Sequence, residues 1–158
     1  MLLNYLDFGV PASLYDIKSM TFRDGNDIVS TAPQEPLDLA LLPFPYAEDF
    51  SDVENQIIYY ESSRGCPYSC GYCLSSIEKG VRFVPLDNVY PALQKFLDHK
   101  VRQVKFIDRT FNCKKSHAMG IWRYLAEHDN GITNFHFEIT ADLLDQETIE
   151  FLQTVRKG

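Results

Sequence analysis

No run of 18 or more apolar residues occurs in the sequence, which excludes a membrane-spanning helix as a reading of any segment. The first residues, Met1-Leu2-Leu3-Asn4-Tyr5-Leu6-Asp7, lack the basic stretch that precedes the apolar part of a secretory leader, so no export signal is expected there. Positive charge is short: 15 Lys and Arg stand against 22 Asp and Glu, a net charge of −7. That weighs against nucleic acid as a partner, because such proteins present a basic stripe to the phosphates. The nearest approach to one, Lys95, Lys100, Arg102 and Lys105, reads as a solvated helix end and strand edge. Tandem repeats and low-complexity segments are absent. So is any C-x2-C…H-x3-H pattern, and the four histidines (His99, His117, His128 and His136) are scattered. The expectation from these absences is a cytoplasmic globular protein whose main partner is neither a membrane nor a nucleic acid. Its 158 residues suffice for one domain that buries about 70% of its unfolded surface.

Hydrophobic rhythm divides the chain at residue 55. Before it, Asp24-Gly25-Asn26 sits between Ser19-Met20-Thr21-Phe22 and Ile28-Val29-Ser30, the pattern of a short hairpin. Residues 31–55 hold Pro33, Pro36, Pro43 and Pro45, too many for one regular element, and read as an irregular connector. Its Leu39, Leu41, Leu42 and Phe44 are expected to pack on the domain that begins at residue 56. From there strands and helices alternate: strands at 56–60, 103–107 and 134–139, helices from Asp87 to about Lys100, over 114–127, and after Asp145. Asp87 is expected to cap the first helix, with Pro91 tolerated in its first turn, and Val89, Leu93, Phe96 and Leu97 to form its buried stripe. The second stripe is Ala118, Ile121, Trp122 and Leu125; the third is Ile149, Leu152 and Val155, with Leu144 and Ile149 as a hydrophobic staple. Threefold alternation is the mark of a parallel sheet with crossover helices, so the fold class is α/β. In the third strand Phe135, Phe137 and Ile139 share one face, and His136 and Glu138 the other.

Three of the four cysteines, Cys66, Cys70 and Cys73, fall in one short stretch spaced C-x3-C-x2-C; Cys113 stands apart. Two disulfides are one reading, but three clustered cysteines and a distant one make a poor staple, and thiols stay reduced in a cytosolic setting. A metal is the stronger reading. Three thiolates on one glycine-bearing loop can hold an iron–sulfur cluster, usually closed by four cysteines, and leave one iron open. Zinc is the competing metal. Cys113 reads as a thiol packed near the same rim, with a fourth-ligand role as its alternative.

At these residues the chain resembles the radical S-adenosylmethionine enzymes: Cys66-Pro67-Tyr68-Ser69-Cys70-Gly71-Tyr72-Cys73 has their C-x3-C-x-aromatic-C form, directly after the first strand of a repeating β/α chain. Ser63-Arg64-Gly65-Cys66-Pro67 and Phe106-Ile107-Asp108-Arg109-Thr110-Phe111 are similar to the branch with an N-terminal cobalamin-binding domain, which includes anaerobic Mg-protoporphyrin IX monomethyl ester oxidative cyclases and methyltransferases. The resemblance spans residues 31–158. It implies a partial (βα) TIM-like barrel, three βα units of the family core, in residues 56–158, preceded by the hairpin and proline-rich connector of residues 1–55.

It also implies that Cys66, Cys70 and Cys73 ligate a [4Fe-4S] cluster that chelates S-adenosylmethionine. An external donor's electron then cleaves that cofactor to methionine and a 5′-deoxyadenosyl radical, with a small-molecule substrate left unnamed. Tyr72 would line the adenine pocket, or simply pack. Asp108, where most of the family has a Gly-Gly-Glu-like turn, would hold the methionine amino group or orient another group, or else cap a helix or pair with Arg109. Glu138 and His136 would face the cofactor, or form a structural pair. No D-x-H-x-x-G pattern marks a cobalamin domain, so cobalamin is an expectation for a longer parent protein only. With three of about six units present, the chain reads as a fragment. Its bare sheet edge and face are expected to drive self-association, and alone it is expected to be inactive. The rival reading is a non-catalytic electron-transfer cluster or zinc module.

Overall fold

A computed structural model describes residues 13–46, 50–53, 55–77 and 80–155. The chain forms two compact units that part between Asp38 and Leu39.

In the first unit, β1 (Thr21–Asp24) and β2 (Asp27–Ser30) pair antiparallel with Asp24 opposite Asp27. The two-residue turn Gly25-Asn26 closes the hairpin. Gly25 takes φ +57°, the left-handed backbone that a glycine at the first central position of such a turn supplies without a Cβ penalty.

The second unit is α/β. Its strands β3 (Ile57–Tyr60), β6 (Gln103–Phe106) and β7 (Asn134–His136) form a parallel sheet in that order. Helix α1 (Leu86–Asp98) connects β3 to β6, α2 (Lys115–Glu127) connects β6 to β7, and α3 (Gln146–Thr154) comes after β7. The alternation in β3 and β6 is sharp. Ile58, Tyr60, Val104 and Phe106 are buried against Val89, Leu93 and Phe96 of α1 and Ala118, Ile121 and Trp122 of α2. Each fully buried large side chain of this set contributes about 2–3 kcal/mol by leaving water. Phe135 and Phe137 join the same core, Phe137 with its ring 4.6 Å from that of Phe106. The opposite face carries Ile57 (53% exposed), Tyr59 (50%) and Ile107 (43%), and with them Lys105, His136 and Glu138. The expected division of β7 between an apolar and a polar face is observed for Phe135 and Phe137 against His136 and Glu138; Ile139, expected on the apolar face, is exposed beyond the end of the strand.

The connector joins this core. Leu39 is buried in it, and Phe44 and Phe50 pack on Phe96 with ring centroids 5.5 and 5.7 Å away; Leu41 and Leu42 stay exposed. Tyr46 guards the outer edge of β3. Its hydroxyl donates to the carbonyl of Tyr59 (2.5 Å) and accepts from the N–H of the same residue (2.9 Å).

Four expectations are corrected. Helix α1 starts at Leu86 with Pro85 at the N-cap; Asp87 lies inside the first turn and caps nothing. Pro91 is consequently the sixth helical residue, beyond the first turn, where it denies the Asp87 carbonyl its usual partner. In α3 the inward residues are Thr148, Phe151 and Leu152, while Ile149 is exposed. Strand β7 ends at His136, three residues early. Asp145 does cap α3, its carboxylate accepting from the N–H of Thr148 at 3.0 Å.

Between β3 and α1 lies a second hairpin where only a loop was expected. β4 (Ser63–Cys66) pairs antiparallel with β5 (Gly80–Phe83), Ser63 opposite Phe83 and Cys66 opposite Gly80. Among the described residues no helix is long and apolar enough to cross a membrane.

Candidate functional site

All three parallel strands run toward one edge of the sheet. β3 leads there into Glu61 and β4, β6 into Ile107 and Asp108, and β7 into Phe137 and Glu138. Ligands of open α/β sheets bind outside the carboxyl ends of the strands.

Cys66 closes β4. Its neighbour Gly65 has φ +103°, and a Cβ there would stand 2.2 Å from the carbonyl oxygen of Gly80, so the pairing of β4 with β5 requires glycine at this point. Gly71, the second glycine of the loop, has open space around it and no positive φ. Cys70 and Cys73 are exposed on the segment after β4, bridged by a 3.1 Å hydrogen bond from the N–H of Cys73 to the carbonyl of Cys70. All four thiols are free. Hydrogen bonds from the N–H and hydroxyl of Ser75 hold the Cys73 thiol below its ordinary pKa, and the nearby Arg109 guanidinium adds to the effect. The Cys113 thiol is pushed up, chiefly by burial and then by the charges of Asp108 and Cys66, which places it near the same rim.

Asp108 is turned into the protein. It is 1% exposed, and its carboxylate accepts three hydrogen bonds: from the Ser62 N–H (3.0 Å), the Ser62 hydroxyl (2.8 Å) and the Ser63 hydroxyl (2.5 Å). Because the Ser62 hydroxyl donates to Asp108, it accepts from His117 of α2, whose Nε2 lies 3.2 Å away and must carry the proton. Burial, with Lys114 nearby, lowers His117 to about 4, so it is neutral at neutral pH. Burial raises Asp108 against the opposing pull of its serine donors. Asp108 thus neither caps a helix nor pairs with Arg109 here. Two residues on, the Thr110 hydroxyl lies 3.6 Å from Cys66 Sγ.

Glu138 and Tyr72 lie differently. Glu138 pairs with Lys105 at 3.2 Å and, with Tyr59, Arg64, Ile107 and Arg109, lines a cavity of about 730 Å³ on the open face. The cavity reaches the cysteine loop at Gly65, Leu74 and Ser75. Tyr72 is 95% exposed on that loop. His136 is exposed and forms no ion pair with Glu138 among those described.

Sequence reasoning missed Ser62, Ser63, Thr110 and His117. The serines look like a solvated turn, and His117 looks like one of four scattered histidines. Their single sequence signal is that His117 falls on the stripe side of α2 beside Ala118 and Ile121.

Three free thiols on one segment, two of them open to solvent and one held toward the thiolate, are donors of the type an iron–sulfur cluster takes. Among the described residues no three His, Cys, Asp or Glu side chains converge closely enough to hold a single metal ion. No family model matches the chain, and a search of the curated proteins finds no match.

Proposed function

We propose that this chain is part of a radical S-adenosylmethionine enzyme and that Cys66, Cys70 and Cys73 are the ligands of its [4Fe-4S] cluster. The observation that carries the reading is the position of the C-x3-C-x2-C loop: it comes after the first parallel strand, at the carboxyl edge, beside the cavity of about 730 Å³. Consecutive strand order, with α1 and α2 both packed on one face, supports the first units of a (βα) barrel, whose sites lie at that same edge.

Bound in the loop, such a cluster supplies one electron for the reductive cleavage of S-adenosylmethionine to methionine and a 5′-deoxyadenosyl radical. The chain's own residues prepare the place. Ser75 and Arg109 favour the thiolate of Cys73, the form that binds metal. Gly65 lets the Cys66 backbone approach β5. Tyr72, unburied at the loop, is free to cover a ligand's flat ring. Lys105 and Glu138 present a paired cation and carboxylate to the cavity. On this reading an external donor supplies the electron, and the substrate, a small molecule or another class, is left open.

The test is anaerobic reconstitution with iron and sulfide, read by iron content, absorbance near 400 nm and the electron paramagnetic resonance spectrum of the reduced protein. The wild type should assemble a cluster whose spectrum changes on adding S-adenosylmethionine. A Cys66→Ala, Cys70→Ala, Cys73→Ala variant should assemble none. An equal cluster in that variant would sink the assignment, and a spectrum indifferent to S-adenosylmethionine would favour an electron-transfer module.

A further inference from the structure

One short turn, residues 108–112, touches the ends of all three parallel strands. Asp108 takes three hydrogen bonds from Ser62 and Ser63, which lie between β3 and the first cysteine. Thr110 stands against Cys66 Sγ. The Asn112 side chain pairs with the backbone beyond β7: its Nδ2 donates to the Thr140 carbonyl (2.8 Å) and its Oδ1 accepts from the Thr140 N–H (2.9 Å). The Phe111 N–H donates to the Glu138 carbonyl at 2.9 Å. Asp108, Thr110 and Asn112 are all buried, so these contacts are shielded from water.

We propose that Asp108 is a positioning residue for the cysteine loop, fixing strand β4 at its root through Ser62 and Ser63 while Thr110 of the same turn sets the Cys66 sulfur. A carboxylate suits this role. Ser62 and Ser63 offer it three donors within two residues, and it answers with two oxygens carrying about four lone-pair sites. In a low-dielectric setting such charge-assisted bonds are strong and directional. They also spare two buried hydroxyls and one buried N–H from standing unpaired. From Ser63 the chain runs three residues in register with β5 to Cys66, so an anchor at Ser63 fixes where the first thiol emerges. A Thr110 hydroxyl that donates to the Cys66 thiolate would stabilise the more electron-rich state of anything that thiolate holds.

The role of Thr110 rests on the proposed function; the role of Asp108 in the metal-free protein does not. Two measurements keep them apart. The first is amide hydrogen exchange across residues 62–66 in metal-free protein, comparing wild type with Asp108→Asn and Ser63→Ala. An amide at position 108 turns a donor toward serine donors, and exchange there should quicken on the order of tenfold, while amides of α1 keep their protection. Ser63→Ala deletes one bond and leaves the other two, so it serves if Asp108→Asn fails to fold. Wild-type exchange in both variants overturns the proposal. The second is the midpoint potential of the reconstituted protein. Thr110→Val should move it to a more negative value and Thr110→Ser should restore it. An unmoved potential removes Thr110 from the role. If wild-type protein assembles no cluster, the functional reading falls, and the exchange measurement still decides Asp108.

Discussion

At the scale of single residues, the carboxyl edge rests on polar groups that are buried and satisfied. His117 shows what that costs. Folded, it stays neutral down to about pH 4; unfolded, it takes a proton near pH 6.5. The unfolded chain therefore binds the extra proton between those values. The stability owed to neutral His117 is complete above pH 6.5 and is lost as pH falls toward 4, by at most about 2 kcal/mol at pH 5. Urea unfolding of wild type at pH 7.5 and pH 5 should show this loss. His117→Gln retains a donor for Ser62 but does not titrate, and the part of the pH dependence due to this site should vanish in it. Equal slopes in the two proteins would mean that position 117 does not govern acid stability. Apart from its place on the stripe side of α2 beside Ala118, nothing in residues 114–119 announces this. A histidine beside Lys114, Lys115 and Ser116 looks solvated until α2 turns it toward Ser62.

Elements with a strong period were legible: the stripe of α1, the hairpin of the first unit and the alternation of β7 are set by residues that bury or turn regardless of distant partners. The ends of elements and the β4–β5 hairpin were not. Ser63-Arg64-Gly65-Cys66 has little strand propensity, and its partners are distant: β5 begins 14 residues after Cys66, and the Ser63 hydroxyl donates to Asp108, 45 residues further on. Pro85 takes the start of α1 because its fixed φ suits a helix entry, which moves Asp87 inward and Pro91 beyond the first turn. At the site, the cysteine spacing was plain from sequence, whereas the direction of Asp108 depended on two serines folding over it. The hairpin carries its own prediction. Gly65→Ala must push a methyl against the Gly80 carbonyl at a positive φ, so the pair β4–β5 opens or shifts. A loss of at least about 2 kcal/mol in chemical unfolding is expected. Gly71→Ala meets nothing and should stay within about 0.5 kcal/mol of wild type. Similar losses in both would show that the loop, and not the pairing at Gly65, limits stability.

For the whole molecule, the question is what covers the sheet face opposite the helices. Ile57, Tyr59 and Ile107 form an apolar group there, interrupted by the Lys105–Glu138 pair. At β3 the Tyr46 hydroxyl occupies both backbone groups of Tyr59, which blocks an added strand. β7 ends the sheet on the other side. We propose that a second copy of the chain covers this face at high concentration. A net charge of −7 opposes such association, so it should strengthen as salt screens the repulsion. Light scattering across a concentration series should show a mass above that of the monomer, more so in high salt. A Tyr59→Lys, Ile107→Lys variant, altered only at exposed positions, should return the mass to that of a monomer without lowering the unfolding midpoint. A wild-type protein that stays monomeric throughout the series, in low and high salt alike, would show that the paired charges of Lys105 and Glu138 are enough to keep the face in water.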